Sequence, residues 1–188
     1  MFRKNIIPLI LTIIFMSPVC NAKEIEGVNL PESLEVVKGK LILNGAGVRS
    51  KFFMDLYVGA LYLENKSNNP KEIIEGEEPM AIRLHIISSL ITSKKMENAT
   101  REGFENATKG NTEPIKSQIE KFISVFKEKI EENDIFDLIY LPGKGLEVYK
   151  NSEFKSRIEG LTFKQAVFGI WLSDKPAQKS LKKEMLGN

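Results

Sequence analysis

The chain of 188 residues has one cysteine, Cys20, and one histidine, His85. Neither a Cys/His zinc site nor a disulfide framework can be built from that inventory. Any Ser-His-Asp or Cys-His mechanism would have to use His85, and no G-x-S-x-G elbow is present. An excess of one charge is also lacking. Lys and Arg number 27 against 25 Asp and Glu, so there is no electrostatic footprint for nucleic acid. No carboxylates cluster for a metal, so neither a metal nor a cofactor is expected. Gly45-Ala46-Gly47-Val48-Arg49-Ser50 is only a partial G-x-G-x-x-G. It lacks the third glycine and leads into a strand, leaving no helix N-terminus for a pyrophosphate. What remains is 42% hydrophobic and 28% charged, the balance of one ordinary globular domain.

The first 22 residues read as a signal peptide. Arg3 and Lys4 form a basic start, and Ile6 to Met16 is an apolar run interrupted by Pro8 and Thr12. That run is short for a bilayer span. Cys20-Asn21-Ala22 supplies small residues where a signal peptidase reads, so the cut is expected after Ala22. The alternatives are an uncleaved anchor or a lipid on Cys20, the latter disfavoured by Val19 before it. The domain then spans residues 23–188, with 25 basic groups facing 25 acidic ones and no thiol. A cysteine-free exported chain fits a bacterial periplasm, or secretion. Membrane contact is expected only through the leader before cleavage. Asn65, Asn98 and Asn106 begin Asn-x-Ser/Thr triplets, read as chance occurrences.

The hydrophobic periods predict α+β architecture, an antiparallel sheet covered on one side by helices. Leu41–Arg49 and Phe52–Leu63 form a hairpin. On the second strand, Phe52, Met54, Leu56, Val58, Ala60 and Tyr62 make an apolar face expected to meet the core. Phe53, Asp55, Tyr57, Gly59, Leu61 and Leu63 make a mixed face expected to border a cleft. Pro70–Glu75 is a short helix and Met80–Ile87 a strand. Helical stripes follow from an N-cap at Ser93 and from Thr112 as far as Ile130. Ile135–Leu141 and Leu146–Lys150 form a second hairpin, with Asp134 and Asp137 solvated. Leu161–Leu172 is a very apolar helix, and Asp174 caps a last one over Ala177–Leu186. His85, beside Arg83, is read as a surface histidine.

Among the residues that could carry chemistry, Arg49 stands out. By strand alternation it shares a face with Leu41 and Leu43, unless a bulge near Gly45 and Gly47 flips it. The two glycines are expected to leave space beside it. A guanidinium next to apolar walls and free space can clamp a carboxylate or phenolate through two parallel hydrogen bonds. Tyr57 on the next strand could offer its hydroxyl to the same anion. The alternative is a solvated arginine at a hairpin end, with Tyr57 as ordinary packing.

Leu43-Asn44-Gly45-Ala46-Gly47-Val48-Arg49, with the strand Tyr57-Val58-Gly59-Ala60-Leu61-Tyr62-Leu63-Glu64, resembles the chalcone isomerase superfamily. The similarity is strongest to its exported bacterial branch. Phe168-Gly169-Ile170-Trp171-Leu172-Ser173-Asp174-Lys175-Pro176-Ala177 resembles that branch too. The resemblance implies an antiparallel sheet under a layer of helices. It implies that Arg49 binds an anion, a ligand oxyanion in the plant enzymes or a carboxylate in fatty-acid-binding members, assisted by Tyr57. The isomerases carry a Tyr and an Asn on the helix after the third strand, where this chain places Met96 and, further along, Gly103. Neither can orient a water or donate to a flavanone oxygen.

Three readings follow. One is a non-catalytic periplasmic binder of a fatty acid or similar amphiphilic carboxylate, with Arg49 and Tyr57 on the head group. Another is an intramolecular lyase cyclising a phenolic enone, with Arg49 and Tyr57 as its catalytic residues. The third is a structural or partner-binding protein whose pocket has closed.

Overall fold

The computed structural model describes residues 23–37 and 39–188. The expected signal peptide, with its cut after Ala22 and with Cys20, lies outside the described residues. β1 (Lys23–Ile25) and β2 (Val28–Leu30) form a small hairpin. The main sheet has seven strands in sequence order: β3 (Ser33–Val36), β4 (Gly39–Lys51), β5 (Met54–Leu63), β6 (Met80–Ile86), β7 (Ile135–Leu141), β8 (Gly145–Lys150) and β9 (Glu153–Ile158). Every neighbouring pair is antiparallel. The α+β class and the helix-covered antiparallel sheet expected from the periodicity are both present.

Five α-helices pack with this sheet: α1 (Pro70–Glu75), α2 (Ser93–Ala107), α3 (Lys116–Ser124), α4 (Leu161–Leu172) and α5 (Lys179–Met185). Asn69 caps α1 by accepting from Lys71 N and Glu72 N, and Pro70 takes the first position where no N–H is needed. Thr92 rather than Ser93 caps α2, at 3.3 Å from Lys95 N. The stripe from Thr112 to Ile130 is not one helix. A 3₁₀ turn at Glu113–Ile115 precedes α3, and another at Val125–Lys127 ends it.

α4 is apolar nearly all round because it is buried nearly all round. Gly103 on α2 meets Ile170 of α4, and Gly169 of α4 meets Ala107, where a Cβ on either glycine would collide. Small residues thus bring these two helices close. Phe104, Phe122, Phe126, Phe136 and Phe163 make the aromatic centre of the core between helices and sheet. Lys164, fully buried in α4, donates to the carbonyls of Ile73, Ile74 and Gly76. It thereby closes the carbonyl end of α1.

Both faces of β5 meet a core, and the mixed face, not the apolar one, takes the larger. Tyr57, Leu61 and Leu63 of the mixed face join the main core under the helices. Val58, Ala60 and Tyr62 of the apolar face join a smaller cluster with Val28, Leu30, Leu41, Ala46 and Ala81. The β1–β2 hairpin contributes Val28 and Leu30 to that cluster, so a second core claims the apolar face. β9 was not expected, because Glu-Phe-Lys-Ser-Arg-Ile is a polar edge strand without a buried row. Asp134 and Asp137 are buried, not solvated. Asp137 receives a two-point contact from Arg83 at 2.7 and 2.9 Å. Asp134 accepts from Glu131 N, Asn151 Nδ2 and Lys150 Nζ. His85 is half-buried on the same strand as Arg83.

Candidate functional site

The site is set by one extra residue in β4. Leu43 pairs with Tyr62, but Gly45 pairs with Leu61, so Asn44 is the bulged residue. Its side chain donates to Ser67 O and Met185 O, both at 2.9 Å, and accepts from Ser67 N. A buried amide so fully used holds the bulge in place. Because side chains alternate, one extra residue exchanges the faces of everything beyond it. Leu41 and Leu43 belong to the small core, whereas Gly45, Gly47 and Arg49 face the helices. Arg49 therefore lies on the opposite face from Leu41 and Leu43, against the simple alternation.

The space beside Gly45 and Gly47, expected to be open, is filled by the protein itself. α5 lies across it. A Cβ on Gly45 would strike the backbone carbonyls of Glu184 and Met185, and one on Gly47 would strike the Glu184 side chain. The glycines serve the docking of α5, and the residue before that helix reaches Arg49. Gln178 accepts from Arg49 Nη1 and from Ser50 N through one oxygen, both at 2.9 Å. Its nitrogen donates to Val48 O at 3.1 Å and Ser180 Oγ at 2.6 Å. The expected cap at Asp174 is thus replaced: α5 begins at Lys179, and Gln178 spends its side chain on β4.

Arg49 is half-buried, neither in bulk water nor sealed. Its Nη1 donates to Ser50 O at 2.6 Å and to Gln178 Oε1. Both Nη1 protons are thereby used. Among the described residues, Nε and Nη2 have no acceptor, so the edge that fits a carboxylate two-point is free. Tyr57 is directly opposite Arg49 in the β4–β5 register, which sets the two side chains side by side. Tyr57 is 8% exposed and its oxygen accepts from Trp171 Nε1 at 2.9 Å. The hydroxyl proton has no acceptor among the described residues. Burial pushes the Tyr57 hydroxyl above its ordinary pKa, outweighing Trp171 and the nearby Arg49, which draw it down. It stays protonated at neutral pH and is a donor.

Both groups line a cavity of about 560 Å³. Leu56, Ile91, Met96, Ala99, Gly103 and Ala177 supply apolar walls, and Phe52, Met54 and Leu90 stand at exposed positions of its lining. Such a volume and such walls suit a small amphiphile. The sequence reading brought Arg49, Tyr57, Met96 and Gly103 forward, and the structure gathers all four on this cavity. Glu102 is the carboxylate on the lining, and it is exposed. No group of His, Cys, Asp and Glu among the described residues is arranged to hold a metal. Sequence reasoning missed Gln178 and Trp171. Gln178 sits in a polar connection with no pattern to mark it, and Trp171 was one apolar residue in a very apolar helix.

Comparison with known proteins bears on the fold and the family. No curated protein matches the chain. A solved structure similar to it is that of a fatty-acid binding protein from Arabidopsis thaliana, at 20% identity and a TM-score of 0.70. The match covers 85% of this chain and 92% of the plant protein, and at that identity it establishes the shared fold. The family profile described as chalcone isomerase-like matches residues 22–187, and this chain belongs to that family.

Proposed function

We propose that this protein is a non-catalytic, periplasmic binder of a fatty acid or a similar amphiphilic carboxylate. The observation that carries the reading is the free Nε–Nη2 edge of Arg49, beside the Tyr57 hydroxyl, on an apolar cavity. A carboxylate only accepts hydrogen bonds, and this corner presents only donors: two parallel N–H groups and one O–H. The alkyl tail lies along Met96, Ala99 and Ile91, where each buried methylene contributes about 0.8 kcal/mol. The structural neighbour is a fatty-acid binding protein, which supports the same ligand class. Cyclisation of a phenolic enone receives less support, because Met96 and Gly103 stand where the isomerases carry Tyr and Asn; the amides that α2 brings to the lining are those of Asn98 and Asn106.

The test is to purify the protein from its native compartment and identify any small molecule carried with it by mass spectrometry. Wild type should carry an amphiphilic carboxylate, and Arg49→Ala should carry far less. Equal amounts of one lipid on both would remove the head-group role of Arg49. Recovery of the protein from the cytoplasm would remove the periplasmic assignment.

A further inference from the structure

The turn joining β4 to β5 has only two residues, Phe52 and Phe53, between the paired Lys51 and Met54. Both have positive φ, 51° and 62°. Two-residue hairpins of this kind favour Gly, which has no Cβ, and Asn, whose short side chain tolerates positive φ; a bulky side chain is strained there. Two other positive-φ turns among the described residues each carry one favoured residue. Glu26-Gly27 joins β1 to β2, and Asn151-Ser152 joins β8 to β9. At Phe52-Phe53 two aromatic residues hold the strained positions and gain no burial in return. Phe52 is 78% exposed and Phe53 completely so, with Met54 also exposed.

The tip adjoins the mouth of the cavity. Phe52 and Met54 belong to its lining, and so does Leu90, 42% exposed, on the segment before α2. Lys51 and Lys95 stand on the same rim with no carboxylate partner among the described residues; Lys95 Nζ donates to Leu90 O at 3.0 Å, and Lys51 Nζ lies over the Phe52 ring. Glu102 is the rim's acid, while the nearby Asp55 accepts from Ser50 Oγ. A convex apolar tip flanked by ammonium groups whose charge no carboxylate neutralises suits a phospholipid surface. The rings enter the boundary between headgroups and acyl chains, and the lysines meet phosphates.

We infer that the Phe52-Phe53 tip docks this protein on anionic phospholipid membranes, with the cavity mouth turned toward the bilayer. This adds a second membrane contact to the one expected of the leader. The contact itself is independent of the ligand. Its use, passing an amphiphile between bilayer and cavity, rests on the carboxylate reading above.

The probe is vesicles without fatty acid, of phosphatidylcholine alone or mixed with phosphatidylglycerol, sedimented with the protein lacking residues 1–22. Wild type should bind the mixed vesicles, bind the neutral ones more weakly, and be released by salt. Phe53→Gly relaxes the turn, so that variant should melt at a higher temperature yet bind vesicles about ten-fold more weakly or worse. Phe53→Trp should bind, with indole emission shifting to the blue on vesicles and quenched by brominated lipid. Wild type staying in the supernatant, Phe53→Gly binding as well as wild type, or unshifted emission would each overturn the inference. Self-association that Phe53→Gly abolishes, without vesicle binding, would reassign the tip to a second copy of the chain. Because no fatty acid is present, failure here leaves the carboxylate reading standing, and failure of that reading leaves this result untouched.

Discussion

Arg49 Nη1 and Gln178 Oε1 lie 2.9 Å apart although 129 residues separate them in the chain. The same oxygen accepts from Ser50 N, so one amide orients the guanidinium and ties the approach to α5 onto β4. That arrangement turns Nη1 toward the protein and leaves the Nε–Nη2 edge for an anion. Gln178→Glu tests it. A carboxylate there would hold Arg49 and cancel its charge. Affinity for a fatty acid should fall about ten-fold or more, while affinity for the matching fatty alcohol should change little. Parallel titrations of the two ligands check the split.

Tyr57 and Trp171 form a second coupled pair. Tyr57→Phe removes a donor to the ligand and strands the Trp171 N–H in a buried place. The expected cost is about 1–3 kcal/mol of stability, with weaker carboxylate binding. Adding Trp171→Phe removes the stranded donor, so the double variant should be more stable than the sum of the single losses implies. Denaturant unfolding of the four proteins measures this.

Two glycines of the hairpin should differ sharply. Gly45→Ala places a methyl against the rigid carbonyls of Glu184 and Met185. It should cost about 1–3 kcal/mol and raise amide exchange across α5. Gly59→Ala meets only Leu181 and Tyr57 side chains at 3.5 Å, an ordinary contact, and should be tolerated. Thermal unfolding and hydrogen exchange separate the two.

These residues also mark what could be read in advance. The sheet, its helical cover, and the pairing of Arg49 with Tyr57 were legible, because periodicity and the Gly-Ala-Gly-Val-Arg block are local signals. The face of Arg49 was not, because it depends on a bulge at Asn44, held by Ser67 and Met185 from distant parts of the chain. The glycines suggested room for a ligand, and the room belongs to α5. Which core each face of β5 meets was not legible, because the short β1–β2 hairpin supplies a second core that no long apolar run announces. Nothing local marks Gln178, whose partners are all in β4 or one turn away.

Acid stability should depend on Asp134. Burial pushes its carboxyl up, but Glu131 N–H, Asn151 and Lys150 outweigh that and hold it below the usual aspartate value. The unfolded chain therefore takes up this proton at a higher pH than the folded one. The stabilisation is complete above the unfolded pKa, about 3.9, and is lost as pH falls through the lower folded value. Asp134→Asn should be less stable near neutrality and should lose less stability between about pH 4 and the acid limit. Denaturant midpoints across that window give the comparison.

The most direct measurement of the central claim is calorimetric titration of residues 23–188 with a fatty acid and with the alcohol of the same chain length, for wild type and Arg49→Ala. Wild type should prefer the acid by about ten-fold or more, and Arg49→Ala should bind the two alike. Equal binding of acid and alcohol by wild type, or an undiminished acid preference in Arg49→Ala, would contradict it.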